Sequence, residues 1–180
     1  MTVYIALLRG INVGGHQPVA MSDLRELLGG LGFSRARSIM QSGNLIFQSA
    51  AATTAELERL LEAEAERRLG LHADFLIRSE KEWREVVASN PFRKESERDP
   101  SHLLVMFLKG AASAKDVKAI QAAVAGPEII RAGGKHLYIV YPDGIGRSRL
   151  TNSFLEARLR VRGTARNWNT VLKLAALAAE

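Results

Sequence analysis

An α+β fold with antiparallel sheets is the class that this 180-residue sequence predicts, and three observations predict it. Short runs of strand-forming residues alternate with stretches whose apolar positions recur at helical spacing. Two of the strand-like runs are separated by little more than Ser42 and Gly43, the mark of a tight hairpin. The order of elements in the first half partly recurs in the second.

Residues 3–9, VYIALLR, are an apolar run closed by Gly10, which predicts a buried strand. Met21, Leu24, Leu27, Leu28 and Leu31 then repeat at helical spacing, with Ser22 placed to cap the helix and Gly32 near its end. ARSIMQ (36–41) and NLIFQS (44–49) are the two hairpin strands. A helix over 54–69 turns Leu57, Leu60, Leu61 and Ala65 inward and five glutamates mostly outward. ADFLIRS (73–79) is the fourth strand. This β-α-β-β-α-β order is the split arrangement of ferredoxin-like domains.

Ser79 and Glu82 predict a capping box for a connecting helix at 80–89. The polar, proline-bracketed stretch 90–101 reads as a linker. Beyond it lie a strand at 102–108, a helix at 113–125 with Ser113 and Asp116 at its cap, strands at 128–132 and 136–141, and a helix at 151–160. The fourth strand of this second copy is missing from the pattern, and GTARNWNT leads directly into a last helix at 167–179. The expected organisation is therefore a first ferredoxin-like subdomain with its connecting helix (1–90), a linker (91–101), and a second, modified ferredoxin-like subdomain with an extra C-terminal helix (102–180).

Composition bounds the function. With 47% apolar and 24% charged residues the chain has the balance of a globular domain. The longest apolar runs fall far short of the roughly 20 residues of a membrane span. MTVYIALLRG lacks the basic start and small-residue cleavage site of a signal peptide. Zero cysteines exclude disulfides, thiolate nucleophiles and cysteine metal sites, and point to a cytoplasmic setting. The net charge of +6 is unevenly spread: residues 1–90 carry 10 Lys/Arg against 11 Asp/Glu, and residues 91–180 carry 15 against 8. Six arginines and one acid lie within 147–166, a local field that attracts phosphates and other anions, although a solvated basic face has the same composition.

Three polar stretches stand out. In the expected sheet the loop after the first strand adjoins the hairpin turn, which brings Arg9 and Asn12 near Gln41, Ser42 and Asn44. Gly10, Gly14 and Gly15 expose backbone N–H groups ahead of a helix, suited to an anion but equally to a sharp turn. In the last helix Trp168, Val171, Leu172 and Ala175 form an apolar face, and Arg166, Asn169, Thr170 and Lys173 a polar one. Thr164 or Asn167 can cap that helix. YPDGIGRSRLT (141–151) places Arg147, Ser148 and Arg149 in a loop, a composition suited to phosphate or carboxylate; Asp143 belongs to its Pro-Asp-Gly turn.

His16, His72, His102 and His136 are scattered without metal-ligand spacing, and no metal or other cofactor is implied. Neither the dinucleotide fingerprint nor the P-loop is present, Ser42 is not in a nucleophile elbow, and the exposed aromatic pair of RNA-recognition motifs is absent.

YIALLRGINVGGH, QSGNLIF, YPDGIGRSRL and GTARNWNT, in this order, resemble the domain-of-unknown-function family 1697 of bacterial proteins, over nearly the whole chain from Tyr4 to about Leu174. One departure is Ser38-Ile39, where the family usually has a hydroxyl residue and an aromatic ring. The resemblance implies two ferredoxin-like subdomains and no particular activity. Its motif residues fall on the loops above: Arg9, Asn12, Gly14, Gly15, Ser42, Gly43, Asn44, Ser148, Arg166, Asn167 and Asn169. With Arg147 they form one expected composite site. The leading expectation is a binding module for a phosphorylated ligand, a nucleotide or a nucleic acid. An enzyme that acts on such a ligand by electrostatic positioning, and a structural or protein-interaction module without ligand, are the alternatives.

Overall fold

The computed structural model describes residues 1–12 and 18–180. Contacts divide them into two compact units, one of Met1–Arg84 with Leu174–Glu180, the other of Glu85–Lys173.

In the first unit the strands β1 (Thr2–Arg9), β2 (Ser34–Ile39), β3 (Asn44–Ser49) and β4 (Asp74–Ser79) form an antiparallel sheet in the order β2-β3-β1-β4. Helix α1 (Met21–Gly30) joins β1 to β2, and α2 (Thr54–Leu69) joins β3 to β4. Tyr4, Ala6 and Leu8 alternate along one face of β1 and pack with Leu24 and Leu28 of α1 and Leu57 and Leu61 of α2. Complete burial of each such leucine contributes about 1.5–3 kcal/mol. Helix α2 is bounded as its sequence dictates: Thr53 and Glu56 make a reciprocal capping box, and Gly70 ends the helix in the left-handed conformation. Glu80–Ala88 form α3, opened by the expected exchange in which Ser79 N donates to Glu82 (2.7 Å) and Glu82 N to Ser79 Oγ (3.2 Å).

The second unit repeats the plan. Its strands β5 (Leu103–Leu108), β6 (Ile129–Ala132), β7 (His136–Val140) and β8 (Gly163–Asn167) form an antiparallel sheet in the order β6-β7-β5-β8. Ahead of β5, Arg93–Arg98 form the short helix α4 and Pro100–His102 a 3-10 turn. Helices α5 (Ala114–Ala123) and α6 (Asn152–Leu159) are N-capped by Ser113 and Thr151, and α7 (Trp168–Ala178) follows β8. Met106 and Leu108 of β5, Val117 and Ile120 of α5 and Leu155 of α6 share the core of this sheet. No helix among the described residues is long and apolar enough to cross a membrane.

Several sequence expectations need correction. The fourth strand of the second copy is present: 163–167 pairs with β5, Val105 opposite Arg166, although its polar sequence has little strand propensity. Ser22 does not cap α1, whose N-cap is Ala20 without a side-chain bond. Leu60 is exposed and Glu58 buried, because Glu58 reaches back to the sheet edge. The buried face of α7 is Trp168, Val171, Leu174 and Ala178, with Leu172 exposed.

Candidate functional site

In the first unit, the end of β1 and the β2–β3 turn adjoin as expected. Arg9 closes β1 opposite Asp74 at the start of β4, and the two side chains form an ion pair at 3.4 Å. Asn12 takes a left-handed conformation (φ 51°), and its side chain spans the loop: Oδ1 accepts from Val19 N (2.8 Å), while Nδ2 donates to Val19 O (3.1 Å) and Gln41 O (2.9 Å). Asn44 is fully buried and donates to Ile39 O (2.9 Å) and Ser42 Oγ (3.1 Å), closing the hairpin turn. Gly14, Gly15 and His16 lie outside the described residues.

In the second unit, antiparallel pairing of Ile129 with Val140 sets the start of β6 beside the end of β7. The segment after α5 (124–128) and the loop after β7 (141–151) therefore meet. Between them lies a cleft of about 650 Å3, with Glu128, Asp143, Arg147, Arg149, Leu150 and Phe154 on its walls. Ser148 organises its base. The Ser148 hydroxyl donates to Glu128 Oε1 (2.7 Å) and accepts from Leu150 N (3.0 Å). Tyr141 is buried beneath and donates to Leu150 O (2.8 Å); burial first, and the Glu128 charge second, push its hydroxyl well above the usual tyrosine range. Arg147 and Arg149 are exposed, and neither makes a hydrogen bond or ion pair with a described residue.

Arg166, Asn167 and Asn169 do not line this cleft. Arg166 belongs to β8 rather than to the polar face of the last helix. It is buried, donates to Thr164 Oγ1 (2.8 Å) and Ala165 O (2.9 Å), and desolvation lowers it to about 10. Asn167 caps α7, its Oδ1 accepting from Thr170 N at 3.0 Å, and Asn169 is exposed. Of the expected set, Arg147 lines the cleft and Ser148 bonds to its Glu128, whereas Arg9, Asn12, Ser42 and Asn44 lie in loops of the first unit. Glu128 had no signal in the sequence, since its partner Ser148 is twenty residues away. Among the described residues no group of three His, Cys, Asp or Glu is placed to hold a metal ion.

Two units, each a β-α-β-β-α-β sheet with the same strand order, define a tandem ferredoxin-like protein. The chain belongs to the DUF1697 family of proteins of unknown function, whose sequence profile matches residues 1–138. That stretch contains the first two of the four motifs; the cleft loop and β8 lie beyond it. The solved structure of a conserved bacterial protein from Streptococcus pneumoniae is similar over 98% of both chains, with a TM-score of 0.77 at 24% identity, a likeness of fold. No curated protein matches the chain.

Proposed function

We propose that the protein is a cytoplasmic binding module for a phosphorylated small ligand, taken up in the cleft of the second unit. The observation that carries this reading is the pair Arg147 and Arg149, two guanidinium groups on one cleft of about 650 Å3 with no acidic partner among the described residues. Guanidinium forks match phosphate oxygens in bidentate geometry, and the volume lies within the range of ligand pockets. The concave shape favours a small molecule over a nucleic acid backbone, which would track along a basic stripe.

Thermal denaturation at low salt with pyrophosphate, nucleotides, sugar phosphates and a short RNA tests it. A ligand that binds only the folded state raises stability by RT ln(1 + [L]/Kd), about 2.7 kcal/mol at a hundredfold excess over Kd. The expected result is a shift with a small phosphorylated compound that disappears when both arginines are replaced by alanine. If only RNA shifts the transition, and salt abolishes the shift steeply, the partner is nucleic acid. A panel without any shift removes the reading.

For the polar loops of the first unit a bracing role is favoured by one specific observation. Both ends of the Asn12 amide are engaged with backbone groups of Val19 and Gln41.

A further inference from the structure

Building on the reading of the cleft as a phosphate site, we propose that its ligand is a ribonucleoside monophosphate. The phosphate lies on Arg147 and Arg149, the ribose diol on Glu128 and Asp143, and the base against Pro127 and Phe154.

Charge balance points there first. Two guanidinium groups and two carboxylates share the lining, so their formal charges cancel. A bare phosphate is drawn by one pair and repelled by the other. A ligand that fits both pairs carries an anionic group and, a few ångströms away, hydrogen-bond donors, because an ionised carboxylate only accepts.

Glu128 is held ready for such donors. Its Oε1 receives the Ser148 hydroxyl at 2.7 Å, and Ser148 is itself fixed by the Leu150 N–H at 3.0 Å. Gly126 lets the Glu128 carboxyl group lie close against the backbone, where a Cβ would push it aside. A pre-positioned acceptor loses little entropy on binding, and a carboxylate accepting from ribose hydroxyls is a recurrent way of holding a nucleotide. An ammonium group would also satisfy the two acids. The apolar wall decides between them, since Val124, Pro127 and Phe154 offer a surface that a base covers and an aminoalkyl phosphate leaves wet.

Isothermal titration at low salt with adenosine and uridine 5′-monophosphates, their 2′-deoxy counterparts, ribose 5-phosphate and pyrophosphate tests this in the full chain. At least one ribonucleotide is expected to bind about tenfold more tightly than its deoxy form and than pyrophosphate, a hydrogen bond to a charged group being worth that much, and about tenfold more tightly than ribose 5-phosphate, which has no base to cover the apolar wall. Glu128→Gln and Asp143→Asn are expected to bring the ribo-to-deoxy ratio near one while pyrophosphate binds as before or more tightly. Asp143 is exposed, so its variant keeps the test decisive if Glu128→Gln lowers stability. Equal affinity for ribo and deoxy forms, or pyrophosphate binding as tightly as the nucleotides, overturns the diol assignment and leaves the phosphate site standing. Ribose 5-phosphate binding as tightly as the nucleotides overturns the role of the apolar wall. Failure of all six compounds overturns the phosphate site as well.

Discussion

Gly43 shows how a single residue fixes the hairpin turn against the strand beside it. Its φ is +83°, and a Cβ there stands 2.7 Å from Ile11 Cδ1 and 2.9 Å from Leu8 Cβ. The isoleucine tip can swing aside; the Leu8 Cβ is fixed to a strand whose N–H donates to Gly43 O at 2.9 Å. Gly43→Ala therefore combines left-handed strain with overpacking and is expected to destabilise the protein by about 2–4 kcal/mol. Urea unfolding measures it, and a loss below about 0.5 kcal/mol would show that the turn can shift. At this scale the sequence is legible where local chemistry decides: the Ser42-Gly43 turn and the Ser79–Glu82 box join residues three apart or closer, whereas Ser22 makes no cap because the helix starts from Ala20. The Ser148–Glu128 bond spans twenty residues and has no local signature.

Edge strands expose backbone groups, and the elements of this protein meet the problem with side chains from the neighbouring helices. On β4, Phe75 N donates to Glu62 Oε1 and Ile77 N to Glu58 Oε1, both at 2.9 Å, from successive turns of α2. On β6, Gln121 of α5 accepts from Ile130 N (2.7 Å) and donates to Glu128 O (3.1 Å), as a further strand would. On β8, Gly163 N donates to Glu156 of α6 at 3.2 Å. The remaining edge, β2, shifts register between Ser34 and Arg37, with Arg35 at φ 53°. Glu58 does more than Glu62, because its carboxylate also lies 3.8 Å from the buried Arg78, whose guanidinium burial shifts downward and Glu58 supports. Glu58→Ala is accordingly expected to cost about 3 kcal/mol and Glu62→Ala about 1 kcal/mol. Equal losses in denaturant titrations would refute the contribution of Arg78. The same long-range chemistry explains the strand that the sequence hid. GTARN carries no apolar alternation, and its extended state comes from pairing with the wholly buried β5.

For the whole molecule the doubled plan was legible because strand and helix periods repeat in both halves. The grouping of Glu128, Arg147 and Arg149 around one cleft of the second unit was not, since spacing along the chain carries no distances between loops. A property of the complete fold that the sequence also conceals is its response to alkaline pH. Tyr138 is buried with its hydroxyl donated to Val86 O (2.6 Å), and burial pushes it up to about 12. In the unfolded chain its value is about 10. Between these limits the unfolded state has released the proton and the folded state keeps it, so the folded state binds more protons and its stability falls as pH rises. Tyr141 acts with the same sign. Arg166 acts with the opposite sign: desolvation lowers its guanidinium, so the folded state holds that proton less tightly than the unfolded chain does. The wild-type curve mixes these signs, whereas its difference from Tyr138→Phe isolates one group. That difference is expected to be constant below pH 9 and to shrink by about 1.4 kcal/mol per pH unit between 10 and 12. Urea titrations at pH 8, 9, 10 and 11 measure it, and parallel curves for the two proteins throughout would show that the Tyr138 hydroxyl titrates as freely in the folded chain as in the unfolded one.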